Sequence, residues 1–140
     1  MRYKYEEDIN SIPSCPPRAC RQRNVTGYRI VFEDVNRPEN FLPVLKREPR
    51  RLNFMSTDAL RCSGYALSFF ASFEQAQAKF QEIDSNHPNW AAKNGDCIAE
   101  GEITSNDGLV SEPNGTGHFD LHEFEGTNVS QRFRVVSSAR

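Results

Sequence analysis

Two periods of apolar residues meet between positions 65 and 83. Tyr65 to Phe70 is a mostly apolar, aromatic run of strand length, and beyond Ser72 the positions Phe73, Ala76, Phe80 and Ile83 recur at the spacing of one helix face. Ser72 followed three residues on by Gln75 reads as a capping box, whose side chains satisfy helix N–H groups that have no partner in the first turn. The pattern predicts a strand running straight into a helix that stops at Asn86-His87-Pro88.

Other elements follow the same logic. Tyr28 to Glu33, behind Gly27, reads as the first strand and as central to a sheet. Asn36 to Leu45 reads as a short helix that tolerates Pro38 in its first turn, loses regularity at Pro43, and turns Phe41, Leu42 and Leu45 to the core. Cys97–Ile103, Leu109–Val110, His118–Phe124 and Arg132–Val136 read as further strands, separated by the turns Asn94-Gly95 and Asn106-Asp107-Gly108. Residues 53–63 are left unassigned. Residues 112–117 lack the Gly-Lys-Ser/Thr of a phosphate loop and are expected to form a mobile connector. Residues 1–24, with Pro13, Pro16 and Pro17, read as a polar arm, 25–136 as one domain and 137–140 as a polar tail. Strands outnumber helices and connections are short. The expected class is α+β, a mainly antiparallel, curved sheet packed by one or two helices.

Composition supports a packed core: 37% of the 140 residues are hydrophobic, ten of them Phe. No run approaches the roughly 20 apolar residues of a membrane span, and the first residues lack the apolar stretch of an export signal, so a cytoplasmic protein is expected. Cys15, Cys20, Cys62 and Cys97 are then expected as free thiols, and the sequons at Asn24, Asn114 and Asn128 carry no meaning. Charge divides unevenly. Residues 1–62 hold 12 basic and 8 acidic side chains, residues 63–140 hold 5 and 11. The densest basic cluster, Lys46 to Arg51, contains Glu48 and has only Phe54 nearby for base stacking, which argues for a solvated basic loop over a nucleic-acid site. The acidic half suits a basic protein partner.

Cys15-Pro16-Pro17, Gly27 to Val31, Phe41-Leu42, Cys62 to Phe70, Ile98 to Ile103, Gly117-His118-Phe119 and Arg132 to Val136 together resemble a family of small bacterial hypothetical proteins. The likeness covers most of residues 15–136, its motifs are structural, and it implies a bacterial single domain without assigning an activity.

One enzymatic pattern is also present. Arg29 on an early strand, Ser68 on a middle strand and Glu100-Gly101-Glu102 on a later one occur in the order found in ADP-ribosyltransferase-like domains. The resemblance implies that Arg29 contacts NAD, Ser68 organises the nicotinamide pocket, Glu102 stabilises positive charge developing on the ribose and Glu100 orients the acceptor. The usual Ser-Thr-Ser run is replaced by Leu67-Ser68-Phe69. This reading requires Arg29, Ser68 and Glu102 to share one cleft; the bland reading makes Glu100 and Glu102 a solvated strand face.

His118, Asp120 and His122 alternate on a strand and so project from one face, a spacing open to metal, with Cys62 and Cys97 as further donors; the bland reading is a polar face opposite Phe119 and Leu121. Arg18 and Arg21 flank Cys20 and would lower a thiol pKa, but every His lies far downstream. Trp90 reads as a packing residue. Without a dense catalytic signature, the leading expectation is a small bacterial module that binds another protein, in a toxin-neutralising or defence-associated role, with no cofactor. The alternative is the NAD-dependent enzyme.

Overall fold

The computed structural model describes residues 2–140. Its strands are β1 (Val25–Val31), β2 (Leu67–Phe70), β3 (Cys97–Ile103), β4 (Gly108–Val110), β5 (His118–Glu123) and β6 (Phe133–Ser138), joined in one open antiparallel sheet of order β4-β5-β2-β1-β3-β6. The α+β class is as expected. Five α-helices accompany the sheet, α1 (Glu6–Ile9), α2 (Val44–Arg47), α3 (Asp58–Gly64), α4 (Phe73–Asn86) and α5 (Trp90–Asn94), with 3-10 turns at Pro38–Phe41, Pro49–Phe54 and Val129–Arg132. No helix among the described residues is long and apolar enough to cross a membrane.

Alternation sorts the side chains onto two faces. Val31, Leu67, Phe69, Ala99, Ile103, Phe119, Leu121 and Phe133 form the larger core on one face, with Phe41 packed against it. On the other face Phe70 and Ile98 meet Ala76 and Phe80 of α4 and Ala91 of α5, joined by Tyr28, Ile30, Phe73 and Trp90. Trp90 packs edge-on against Phe80, as expected of a packing residue.

The joint between strand and helix is present but shorter. β2 begins at Leu67 because α3 occupies the preceding residues, capped where Thr57 Oγ1 accepts from the Leu60 N–H at 3.1 Å. Gly64 ends this helix against Leu45, where an added Cβ would lie 2.6 Å from a Leu45 methyl. The segment 36–45 is split at Pro43, which leaves a 3-10 turn before it and α2 after it. Residues 112–117 close a hydrogen-bonded hairpin, with Asn114 Oδ1 accepting from the N–H groups of Thr116 and His118 at 2.9 and 3.0 Å.

The arm and tail belong to the domain. Tyr3 bridges to Phe124 and Arg21 to Val110, Ile9 and Cys20 are buried, and Lys4 Nζ lies 2.9 Å from Glu123 Oε2. Ala139 is fully buried, and its N–H donates to the Asp96 carbonyl at 2.7 Å. The cysteine expectation is corrected in part. Cys20 and Cys97 are free and buried, but Cys15 and Cys62 form a disulfide, because the arm folds back over α3 and brings their Cα atoms to 5.6 Å.

Ser72 caps α4 as its sequence position implied, its Oγ accepting from the Gln75 N–H at 3.2 Å. Ser72→Ala is expected to cost about 1 kcal/mol in urea denaturation at an unchanged m value; an unchanged midpoint would show that the cap contributes nothing.

Candidate functional site

The sheet opens where β1 and β2 part. β1 stays in register with β3 from Val25↔Ile103 to Val31↔Cys97, and β2 with β5 from Leu67↔Leu121 to Phe70↔His118, but β1 and β2 meet only at Tyr28↔Phe70. Beyond that pair the guanidinium of Arg29 fills the gap. Nη1 donates to the Ser68 carbonyl at 2.7 Å, Nε to the Asn40 carbonyl at 2.7 Å and Nη2 to the Leu42 carbonyl at 3.3 Å. Its carbon lies 5.9 and 5.8 Å from the ring centres of Phe41 and Phe69. Asn40 is buried too, and holds the loop in place by accepting from the Phe32 N–H at 2.7 Å and donating to the Asp34 carbonyl at 2.9 Å.

A cleft of about 350 Å³ opens at this split. Its floor carries Arg29, Ser68 and His118; α2, α3, α4 and α5 supply the walls, including Leu60, Ile83 and Trp90. Its lining holds four strong cations, Arg29, Arg47, Arg51 and Lys79, and no Asp or Glu. Two of these are paired at the surface, Arg51 with Glu48 at 3.4 Å and Lys79 with Glu82 at 3.7 Å. Arg29 and Arg47 take part in no ion pair among the described residues. Arg47 instead ties α2 to α5, donating to Asn94 Oδ1 at 3.1 Å and to the Lys93 carbonyl at 2.5 Å. Burial, reinforced by repulsion from Arg47 and opposed by the Glu123 carboxylate, pushes the Arg29 guanidinium down to about 10, which still leaves it charged at neutral pH. A shallower groove of about 810 Å³ adjoins the cleft along Glu48–Arg51 and Asn86–Trp90.

Ser68, His118 and Asp120 share the cleft side of the sheet, since Ser68 pairs with Asp120 and Phe70 with His118. His118 Nε2 lies 3.0 Å from Ser68 Oγ and 3.6 Å from Asp120 Oδ1. Both contacts use the same ring nitrogen. A serine-hydrolase relay needs the carboxylate on the opposite nitrogen, so this is not that machinery. Burial pushes the Asp120 carboxyl up, opposed by His118 and by the Ser63 hydroxyl, and its Oδ1 is buried without a hydrogen-bond partner.

The NAD reading placed Arg29, Ser68 and Glu102 in one cleft, and the geometry corrects this. Arg29 pairs across the sheet with Ala99 and takes the face of the larger core, whereas Glu102 pairs with Thr26, three residues away along β1, and takes the other face; Ser68 shares that face, but Glu102 lies near the far end of β3. Glu102 does not line the cleft; it accepts from Thr26 Oγ1 at 2.7 Å, while Glu100 accepts from the Tyr28 hydroxyl at 2.8 Å. Only Arg29 and Ser68 come together, and they meet through the Ser68 carbonyl. Among the metal candidates, His118 and Asp120 are neighbours, but His122 groups instead with Cys15 and Cys62; Cys97 is not part of that group. Arg47 and Arg51 carried a sequence signal, the basic cluster, which composition alone read as solvated. Lys79 and Ser63 carried none, since only the fold turns them inward. No family model matches the chain, and neither the curated proteins nor the solved structures provide a match.

His122 is buried, which pushes its imidazole from 6.5 down to about 4. The unfolded chain takes up this proton near 6.5 and the folded chain only near 4, so the associated stability is complete above pH 6.5 and is lost as pH falls towards 4. The loss amounts to about 3 kcal/mol. Asp120 and Glu123, whose carboxyls burial pushes up, act in the opposite sense. Comparison with His122→Leu isolates the imidazole: urea melts at neutral and acid pH should show a smaller acid loss in the variant, and equal losses would contradict a neutral buried His122.

Proposed function

We propose that the cleft binds a small organic oxyanion, a phosphate ester or carboxylate attached to an apolar or aromatic body. The observation that carries this reading is that Arg29 and Arg47, two cations in no ion pair among the described residues, both line a pocket whose lining holds no carboxylate. A guanidinium has five N–H donors and Arg29 uses three on main-chain carbonyls, which leaves two for a ligand. An anion between the two arginines relieves their mutual repulsion and gains charge-assisted hydrogen bonds in a site partly shielded from water. Leu60, Ile83 and Trp90 offer apolar and aromatic surface to the rest of the molecule, and the cleft volume falls at the small end of ligand pockets. Ser68 and His118 add a hydroxyl and an imidazole at the floor.

A second reading, contact with another protein such as a toxin, is favoured by one observation. Phe54 is 85% exposed and shares the 3-10 turn Pro49–Phe54 with exposed Leu52 and with Arg50 and Arg51. Phe54→Ser separates the two readings, since Phe54 does not line the cleft.

Calorimetry with phenyl phosphate, benzoate and phenol tests the principal reading. The two anions are expected to bind and neutral phenol not to, with affinity falling as salt rises. Arg47→Gln should weaken phenyl phosphate binding by roughly 10- to 100-fold, the worth of one hydrogen bond to a charged group. Equal binding of phenol, or wild-type affinity in Arg47→Gln, would overturn the assignment.

A further inference from the structure

Cys15, Cys62 and His122 come from three separate parts of the chain, the arm, α3 and β5, yet their ligand atoms all lie within 4.8 Å of one another. Cys62 and His122 are buried, and Cys15 is half-buried. No residue of this group lines the oxyanion cleft, so the cluster stands apart from the function proposed above. From these positions we infer that, once the disulfide is reduced, Cys15, Cys62 and His122 form a three-ligand site for a thiophilic d¹⁰ cation, with Zn²⁺ the best match.

The chemistry balances in two steps. A dithiol reductant delivers two electrons and two protons, the Cys15–Cys62 S–S bond breaks to two thiols, and the reductant closes its own disulfide. Zn²⁺ then displaces the two thiol protons, takes both sulfurs as thiolates and accepts the lone pair of one imidazole nitrogen of His122. Tetrahedral bonds of about 2.3 Å to sulfur and about 2.0 Å to nitrogen set donor atoms roughly 3.5–3.8 Å apart. That spacing lies inside the 4.8 Å already spanned by the three groups, so parting the sulfurs calls for side-chain rotation rather than backbone rearrangement. Two thiolates and an imidazole are a soft, borderline set suited to zinc over magnesium or calcium, and they leave a fourth position for water or an external ligand. The same residues therefore hold the arm on α3 in two ways, by a covalent bond under oxidising conditions and by a metal under reducing ones.

The full chain, reduced with tris(2-carboxyethyl)phosphine and titrated with Co²⁺, tests this by optical spectroscopy. The expected result is one Co²⁺ per chain with thiolate charge-transfer absorption, displaced by one equivalent of Zn²⁺, and no such spectrum from the oxidised protein. Cys62→Ser should abolish the absorption, while the double variant Cys20→Ser, Cys97→Ser should keep it. His122→Gln retains both sulfurs and serves as the second probe; it should bind at least tenfold more weakly, with circular dichroism of its oxidised form confirming the fold. The site is refuted by a reduced protein that takes up no Co²⁺ or unfolds instead of binding it. It is refuted equally by thiolate absorption that persists in Cys62→Ser or by wild-type affinity in His122→Gln.

Discussion

The buried guanidinium of Arg29 decides how this sheet is built. A charge removed from water costs several kcal/mol unless its surroundings replace hydration, and here three main-chain carbonyls and two aromatic rings do so, with buried Glu123 acting from beyond ion-pair distance. The carbonyls of Ser68, Asn40 and Leu42 depend on it in return, since each would otherwise be left without this donor in the interior, at about 1–3 kcal/mol apiece. Arg29 thus substitutes for the ladder that β1 and β2 do not complete, and it fixes the loop after β1 at the same time.

Because the gap is filled by a cation rather than by strand pairing, the sheet can open without exposing its main core. Phe69 and Phe119 stay sealed on one face, stacked with ring centres 5.7 Å apart. On the other face Ser68 and His118 are left at the floor of a cavity, and α2, α3, α4 and α5 ring it. Local signals assemble these walls: Thr57 starts α3, Gly64 allows it to press on Leu45, and Ser72 starts α4. The charge that closes the sheet also gives the cleft its sign. Structure and the proposed ligand preference therefore rest on one residue, with Arg47 as the second cation.

Much of this was legible along the chain. The period change at Ser72, the strands at 28–33, 97–103 and 118–124 and the turns between them follow from apolar spacing and turn residues, and they sufficed for the class of fold. Other features depend on contacts between distant segments. Nothing near Cys15 in sequence says that the arm returns to α3, so the disulfide with Cys62, 47 positions away, was not readable. Strand parity could have separated Arg29 from Glu102 only with the register of β1 on β3 known, because the order of residues along a chain does not say which face each one takes. Arg47 was visible as charge, but its direction into the cleft depends on the break at Pro43.

The cleft proposed for an oxyanion and the group of Cys15, Cys62 and His122 sit on the same side of the sheet, with Ser63 in one and Cys62 in the other. α3 is thus common to both, and the central claim remains the buried arginine. The most direct test is the ¹⁵N–¹H spectrum of the arginine side chains, followed by hydrogen exchange and by titration with phenyl phosphate. The account expects an Arg29 Nε–H that exchanges far more slowly than that of exposed Arg50, and Arg29 and Arg47 signals that move together on ligand addition. An Arg29 signal that exchanges as fast as Arg50 and does not shift would contradict it.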